Sequence, residues 1–209
     1  MKATIIYDNT AWDQRLTPDW GFACLVEAHG RSILFDTGAR GDVLLANMAA
    51  LAISPADIEA VVISHDHWDH TGGLDAFLSR QPANIYIPAS CRTMSDRAVV
   101  IGDMTKIFDN IYSTGELRNI EQSLTIKTDK GIVVIAGCSH SGVDTILKSA
   151  AAIGPVYALI GGLHGFSNFG ALEDLSMVCP THCTQHIREI KDRYPEKYME
   201  GGAGRMIEM

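Results

Sequence analysis

Apolar residues in this chain come in short runs, separated by Gly, Pro, Asn and Asp. Runs of that length between turn residues read as strands, and longer stretches with apolar positions three and four apart read as helices. Residues 4–7 read as a strand. Residues 22–28 and 32–35 read as two strands joined by a turn at His29-Gly30-Arg31. The spacing predicts a helix over 41–51, with Asp42 near its start, then a polar break at Ser54-Pro55 and a strand over 60–63. A helix over 71–79 is expected, with Thr71 as its N-cap, followed by a strand over 84–87.

The pattern is least regular from Ser90 to Ser113, where residues 107–112 read as a strand. Its apolar residues Met94, Met104, Ile107 and Phe108 suit a core, a pocket wall or a partner face. Further on, strands over 123–127 and 132–135 flank the turn Asp129-Lys130-Gly131. A helix over 142–152, a strand over 156–160, a helix over 184–193 and a short strand over 205–208 complete the chain. A β-rich first third followed by alternating strands and helices predicts a layered α/β architecture, with helices covering sheets. No linker, repeat or low-complexity tract interrupts it, so residues 1–209 read as a single domain.

Composition fits a globular enzyme-sized domain, with 46% hydrophobic and 20% charged residues. Lys and Arg number 17 against 25 Asp and Glu, a net charge of -8. Nucleic-acid and anionic-membrane binding rest on Lys and Arg, and no basic run exists, so neither partner is expected. No apolar stretch reaches the roughly 20 residues that cross a bilayer. The N-terminus turns polar too early for a secretion signal. With five cysteines, an odd number, this predicts reduced thiols in the cytoplasm.

Three of the eight histidines fall within six residues, in Ser64-His65-Asp66-His67-Trp68-Asp69-His70-Thr71-Gly72-Gly73. From the chain's own His and Asp frequencies, a chance match to His-x-His-x-Asp-His is on the order of one in a thousand. The alternative is a polar surface loop rich in histidine. The segment follows one strand and precedes a helix, where loops commonly present functional groups. Imidazoles and carboxylates crowded there are costly to desolvate, unless a divalent cation takes them as ligands. In extended backbone, residues two apart share a side, so His65 and His67 can converge on one ion, while Asp69 and His70 serve a second. Two ions about 3.5–4 Å apart can share a water and clamp a substrate oxygen.

Two ions need more ligands than one loop offers. His140, in Gly137-Cys138-Ser139-His140, His164, in Gly161-Gly162-Leu163-His164, and His182, in Pro180-Thr181-His182-Cys183-Thr184, also stand where strands end. Four such strand ends can meet along one sheet edge. His29 and His186 lack that setting and read as a solvated turn and a helix face. Cys179 and Cys183 bracket His182 without a second pair, so they read as packing thiols rather than a structural zinc site, and Cys138 reads as a small buried hydrophobe rather than a thiol nucleophile.

Together, Leu34-Phe35-Asp36-Thr37-Gly38, the His65–Gly73 segment, His140 and His182, in this order, resemble the metallo-β-lactamase fold superfamily over nearly the whole chain. The resemblance implies an αββα sandwich with metals at one edge of two sheets. It implies that His65, His67 and His140 hold the first metal and that Asp69, His70 and His182 hold the second. Asp36 would be a buried acid supporting them from below. The ions would be two divalent metals, zinc by precedent, with iron or manganese as alternatives. Superfamily hydrolases place an Asp, bridging both metals, where this chain has His164. His164 would then ligate one metal or face substrate as a proton donor or anion contact. Asp69 and His164 are thus the candidate catalytic residues.

Asp8-Asn9, Gly137-Cys138-Ser139-His140, Gly161-Gly162-Leu163-His164, residues 180–184 and residues 202–208 further resemble a subgroup, the dihydropterin–aminobenzene-phosphate synthases and their relatives. Those enzymes join a pterin pyrophosphate to an arylamine, releasing pyrophosphate. The expected function is a dinuclear metal hydrolase in which a metal-bound hydroxide attacks a small-molecule ester, lactone, thioester or phosphoester. A pterin transferase and a non-catalytic metal-binding module are the alternatives. The superfamily's diiron redox members carry Glu where this chain has His67, which sets redox chemistry aside.

Overall fold

A computed structural model describes residues 1–92 and 95–209. In chain order it contains β1 (Lys2–Tyr7), β2 (Ala23–Ala28), β3 (Arg31–Phe35), α1 (Gly41–Ala50), β4 (Ala60–Val62), α2 (Trp68–Thr71) and α3 (Leu74–Leu78). There follow β5 (Asn84–Pro88), β6 (Ala98–Ile101), β7 (Thr105–Phe108), β8 (Ile111–Ser113), β9 (Leu124–Thr128), β10 (Gly131–Ala136) and α4 (Val143–Ala151). The chain closes with β11 (Val156–Gly162), β12 (Met177–Thr181), α5 (Ile187–Arg193) and β13 (Met206–Glu208).

The strands form two sheets, in the orders β13-β1-β2-β3-β4-β5-β6 and β12-β11-β10-β9-β8-β7. In the first, β3, β4, β5 and β6 pair in parallel, and in the second β10, β11 and β12 do. Parallel neighbours need crossovers, and α1 supplies one between β3 and β4, as α4 does between β10 and β11. The unbroken apolar runs follow from burial on both faces. In β10, Val133 and Ile135 enter the core between the sheets, while Ile132, Val134 and Ala136 face the helices. In β3, Ile33 and Phe35 point inward and Leu34 outward.

Three apolar clusters therefore separate four layers. The first sheet packs outward on α1 and α3 through Val43, Leu44, Met48, Leu74 and Phe77. The second packs on α4 and α5 through Val143, Ile146, Ala150 and Ile190. The architecture is the expected αββα sandwich. Gln122 stitches its halves: its side-chain amide donates to the Ile63 and Tyr86 carbonyls at 2.8 and 3.0 Å and accepts from Ser113 Oγ at 2.6 Å.

Several local expectations change. The helix over 71–79 is two short helices, and Thr71 ends the first, its hydroxyl donating to the His67 carbonyl rather than capping an N-terminus. The break falls at Gly72-Gly73, where a Cβ would strike the Ala39 and Thr37 carbonyls, so the backbone packs directly on the β3–α1 loop. The strand over 107–112 is a hairpin, β7 and β8, turned at Asn110 with φ of 63°. Strand β6, with the sequence AVVI and no clear periodicity around it, lies in the stretch that the sequence pattern leaves irregular. The last helix begins at Ile187. Ile107 and Phe108 pack against the inter-sheet core and Met104 is exposed; Met94 lies outside the described residues. Among the described residues no helix is long and apolar enough to cross a membrane.

Phe77 is fully buried and closes the contact of α3 with α1 and the first sheet. Truncation to Ala should cost about 3–5 kcal/mol of stability, read from urea unfolding by circular dichroism. A loss below about 1 kcal/mol would mean that this layer does not depend on the ring.

Candidate metal centre

The predicted loop leaves the C-terminal end of β4. Its carbonyls are held from the β3 side: Thr37 donates to the His70 carbonyl through N–H and hydroxyl, at 2.8 and 2.9 Å, and the Phe22 N–H reaches the Asp69 carbonyl at 3.2 Å. Gly137, after β10, lies so close to Ser64 Oγ that a Cβ there would collide with it. The strand ends from both sheets thus abut. Asp36, Ser139, His164 and His182 follow β3, β10, β11 and β12 with positive φ values of 57°, 61°, 47° and 50°. Non-glycine residues bear a cost of about 1–3 kcal/mol in sparsely populated backbone conformations, which cluster at functional sites.

The donor atoms of His65, His67 and His140 lie within 4.8 Å of one another, as do those of Asp69, His70 and His182. The two triads adjoin, with the His65 and His70 rings 4.3 Å apart. His182 Nε2 is 3.4 Å and His70 Nε2 4.0 Å from Asp69 Oδ2. All six residues singled out in the sequence are brought together. His164 joins neither triad; its exposed side chain stacks edge-on against His140, centroids 4.9 Å apart. His29 and His186 are remote: one contacts the Lys127 carbonyl, the other Glu189.

Hydrogen bonds fix which nitrogen of the His65, His70 and His182 rings faces the centre. Asp36 is completely buried and accepts from the Ser64 N–H, the Ser64 hydroxyl and His70 Nδ1, each at 2.7 Å. A carboxylate accepts only, so His70 carries its proton on Nδ1 and turns Nε2 inward. The Ser64 hydroxyl proton is committed to Asp36, so His65 Nδ1–H donates to Ser64 Oγ at 2.8 Å, and its bare Nε2 turns inward, accepting from His67 Nδ1 at 3.0 Å. Asn9 accepts from the Gly21 N–H and donates to the His182 carbonyl, which orients its amide so that Oδ1 accepts from His182 Nδ1 at 3.0 Å. Asp8 accepts from the His182 N–H at 2.8 Å.

Burial, then the charges of His70, His67 and His140, keeps the His65 imidazole far below its usual range. Burial, with His67 and His164 nearby, pulls His140 down to about 4. Both rings are therefore neutral, the form that ligates metals. Burial opposes ionisation of Asp69, but the imidazoles of His182 and His70 outweigh it and hold the carboxyl below its ordinary range. Burial likewise opposes charge on His70, and the Asp36 carboxylate more than reverses it.

The donor set fits divalent cations. His140 Nε2 and His182 Nε2 are buried without a hydrogen-bond partner, a costly state for any polar atom. These two nitrogens, with the inward Nε2 atoms of His65 and His70 and the Asp69 carboxylate, form a cluster of electron-pair donors that a cation satisfies.

Several participants escaped the sequence reading. Trp20 Nε1 donates to Asp69 Oδ2 at 2.9 Å, and nothing local in the sequence marks that contact. Cys138, buried, places Sγ 3.1 Å from His70 Nε2, and Cys183 joins Cys138 and His182 in a further donor group. Their adjacency to His140 and His182 was the available signal. The thiol pair polarises itself: its shared hydrogen bond pulls Cys183 down to about 6 and, with burial, pushes Cys138 up. Cys24, Cys138, Cys179 and Cys183 are free thiols.

Replacing Asp36 by Asn removes the acceptor that orients His70 and Ser64. Metal affinity should fall about 10–100-fold, as for other outer-shell partners of ligating histidines, measured by competition with a chromophoric chelator. Unchanged affinity would show that the carboxylate does not organise the centre.

Comparison with known proteins agrees with this fold. The family described as the metallo-beta-lactamase superfamily matches residues 16–143. A 7,8-dihydropterin-6-methyl-4-(beta-D-ribofuranosyl)-aminobenzene-5'-phosphate synthase from Methanocaldococcus jannaschii is 25% identical, across 96% of this chain and 92% of the relative. The crystal structure of a metal-dependent hydrolase of the beta-lactamase superfamily superposes with a TM-score of 0.81 at 26% identity, covering 100% of this chain and 99% of the other. Zn(2+)-bound PqqB from Methylobacterium extorquens shares the fold, with a TM-score of 0.66, 14% identity and complete coverage of both chains. With the family match spanning more than half the sequence and the sandwich and donor-bearing strand ends in place, the chain belongs to the metallo-β-lactamase superfamily.

Proposed function

We propose that this protein is a dinuclear metal-dependent hydrolase of a small-molecule ester, lactone, thioester or phosphoester. The observation that carries the reading is the convergence of inward Nε2 atoms from three strand ends beside one carboxylate, two of them buried without partners. His65, His67 and His140 would hold one cation, and Asp69, His70 and His182 the other; the donor set suits zinc, with iron or manganese as alternatives. Bound there, such cations supply Lewis acidity toward a carbonyl or phosphoryl oxygen and an activated water.

The chain's own groups orient and protonate. Asp36 and Asn9 fix the tautomers of His70 and His182, and Trp20 pins one Asp69 oxygen. His164, exposed beside His140, stands at the rim in position to give a proton to a leaving group. Trp20, 50% exposed and in contact with Asp69 and His182, gives the cluster's edge aromatic surface for an organic substrate. A net charge of -8 without a basic run argues for a small molecule over nucleic acid, and the free thiols of Cys24, Cys138, Cys179 and Cys183 suit a reducing cytoplasm.

One observation favours a second reading. The relative with 25% identity over nearly both chains is named a synthase, so condensation of a pterin pyrophosphate with an aryl amine is the transferase alternative. Protein loaded with Zn, Fe or Mn should turn over one class in a panel of esters, lactones, thioesters and phosphoesters. A chelator should abolish turnover and added metal restore it. Release of pyrophosphate from a pterin pyrophosphate only when an aryl amine is present, with the panel silent, would replace the hydrolase by the transferase. His67→Ala should lower both metal content and turnover; a metal-replete wild type inert in every arm would leave a non-catalytic metal-binding module.

A further inference from the structure

Cys138 belongs to neither triad and stands between them. Its Sγ falls within 4.8 Å of the donor atoms of His65 and His70 in one group, and of His182 and Cys183 in another. His65 is in the first triad, whereas His70 and His182 are in the second. The 3.1 Å contact is to His70 Nε2, the nitrogen left bare because Nδ1 donates to Asp36. Zinc–nitrogen and zinc–sulfur bonds of about 2.0–2.1 and 2.3 Å at a tetrahedral angle put two such ligands roughly 3.5 Å apart, so this pair has nearly the separation of two ligands on one ion.

The end of β11, Gly161-Gly162-Leu163, brings no carboxylate to the cluster, and His164 sits outside it at the rim. Among the described donor groups, Asp69 is the one carboxylate. Two divalent cations would bring four positive charges against it and the underlying Asp36. A thiolate adds a negative charge and has lone pairs for two ions, whereas the inward face of a neutral imidazole has one. The Cys183 thiol packs behind, reaching the Cys138 carbonyl at 3.8 Å.

We propose that Cys138 supplies a thiolate ligand to the metal centre, between the two cation positions. The inference rests on the reading of the site as a divalent-cation centre, and it makes that centre softer, favouring zinc over manganese. On binding, the Cys138 sulfur–hydrogen bond gives up its proton to solvent and the sulfur electron pair goes to the cation.

The test is spectroscopic, on the full chain under reducing conditions. Cobalt(II)-loaded wild type should show thiolate-to-cobalt charge transfer in the near ultraviolet. Zinc-loaded wild type should show a sulfur neighbour at about 2.3 Å by X-ray absorption. Cys138→Ser should bind metal more weakly and lose both signatures, whereas Cys91→Ser and Cys183→Ser keep them. A wild-type shell of nitrogen and oxygen alone would overturn the thiolate and leave the hydrolase reading standing. Loss of the signatures in Cys183→Ser but not in Cys138→Ser would overturn the assignment to Cys138. Failure of the wild type to bind any divalent cation would instead remove the centre itself. Should Cys138→Ser not fold, the wild-type spectra decide.

Discussion

The centre depends on one buried carboxylate. Asp36 has no exposure, adopts a left-handed backbone conformation just past β3, and accepts three hydrogen bonds. Burying a carboxylate is tolerable only when its oxygens are satisfied. Here the donors that satisfy it belong to the loop it must organise. Through the Ser64 hydroxyl its influence extends to His65, and directly to His70, so one residue sets two tautomers. A polar network of this kind is rigid when complete and costly when broken.

The two sheets make that rigidity useful. Each contributes parallel strands whose C-terminal ends lie on one edge, and the inter-sheet core holds those edges in register. Gln122 ties β4 and β5 of one sheet to β8 of the other directly behind the His65 loop. Glu121 anchors the segment after His140, accepting from the Ser141 N–H and hydroxyl at 2.7 Å. The strain held at Asp36, Ser139, His164 and His182 is sustained by this frame. The His65 and His140 imidazoles, which would repel their neighbours if charged, are kept neutral by burial and by the nearby histidines, so they present lone pairs rather than positive charge.

The element pattern was legible wherever both faces of a strand or one stripe of a helix were apolar, as in β10 and α4. It failed where tertiary contacts overrode periodicity. The helix at Gly72-Gly73 breaks because its backbone packs against Ala39 and Thr37, and β6 exists because β5 offers it an edge. In the site, His65, His67, Asp69 and His70 announce themselves by spacing alone. His140 and His182 were visible as histidines at strand ends. Trp20 was not, and Asn9 and Cys138 stood out only as parts of resembling stretches without a role at the site, because Trp20 and Asn9 act on residues remote in sequence and a cysteine commonly reads as a small buried hydrophobe.

The sequence by itself determined the short-range facts: the alternation that makes two-faced strands, the loop that clusters histidines, and the acidic surface. These depend on neighbours a few residues away. Which nitrogens face inward, how the two triads adjoin and which sulfur lies between them were decided by strand order and by contacts such as Asp36 to His70, 34 residues apart, and Asn9 to His182, 173 apart. Side-chain chemistry is written locally, but hydrogen-bond partners and donor separations exist only once parallel pairing has brought distant strand ends to one edge.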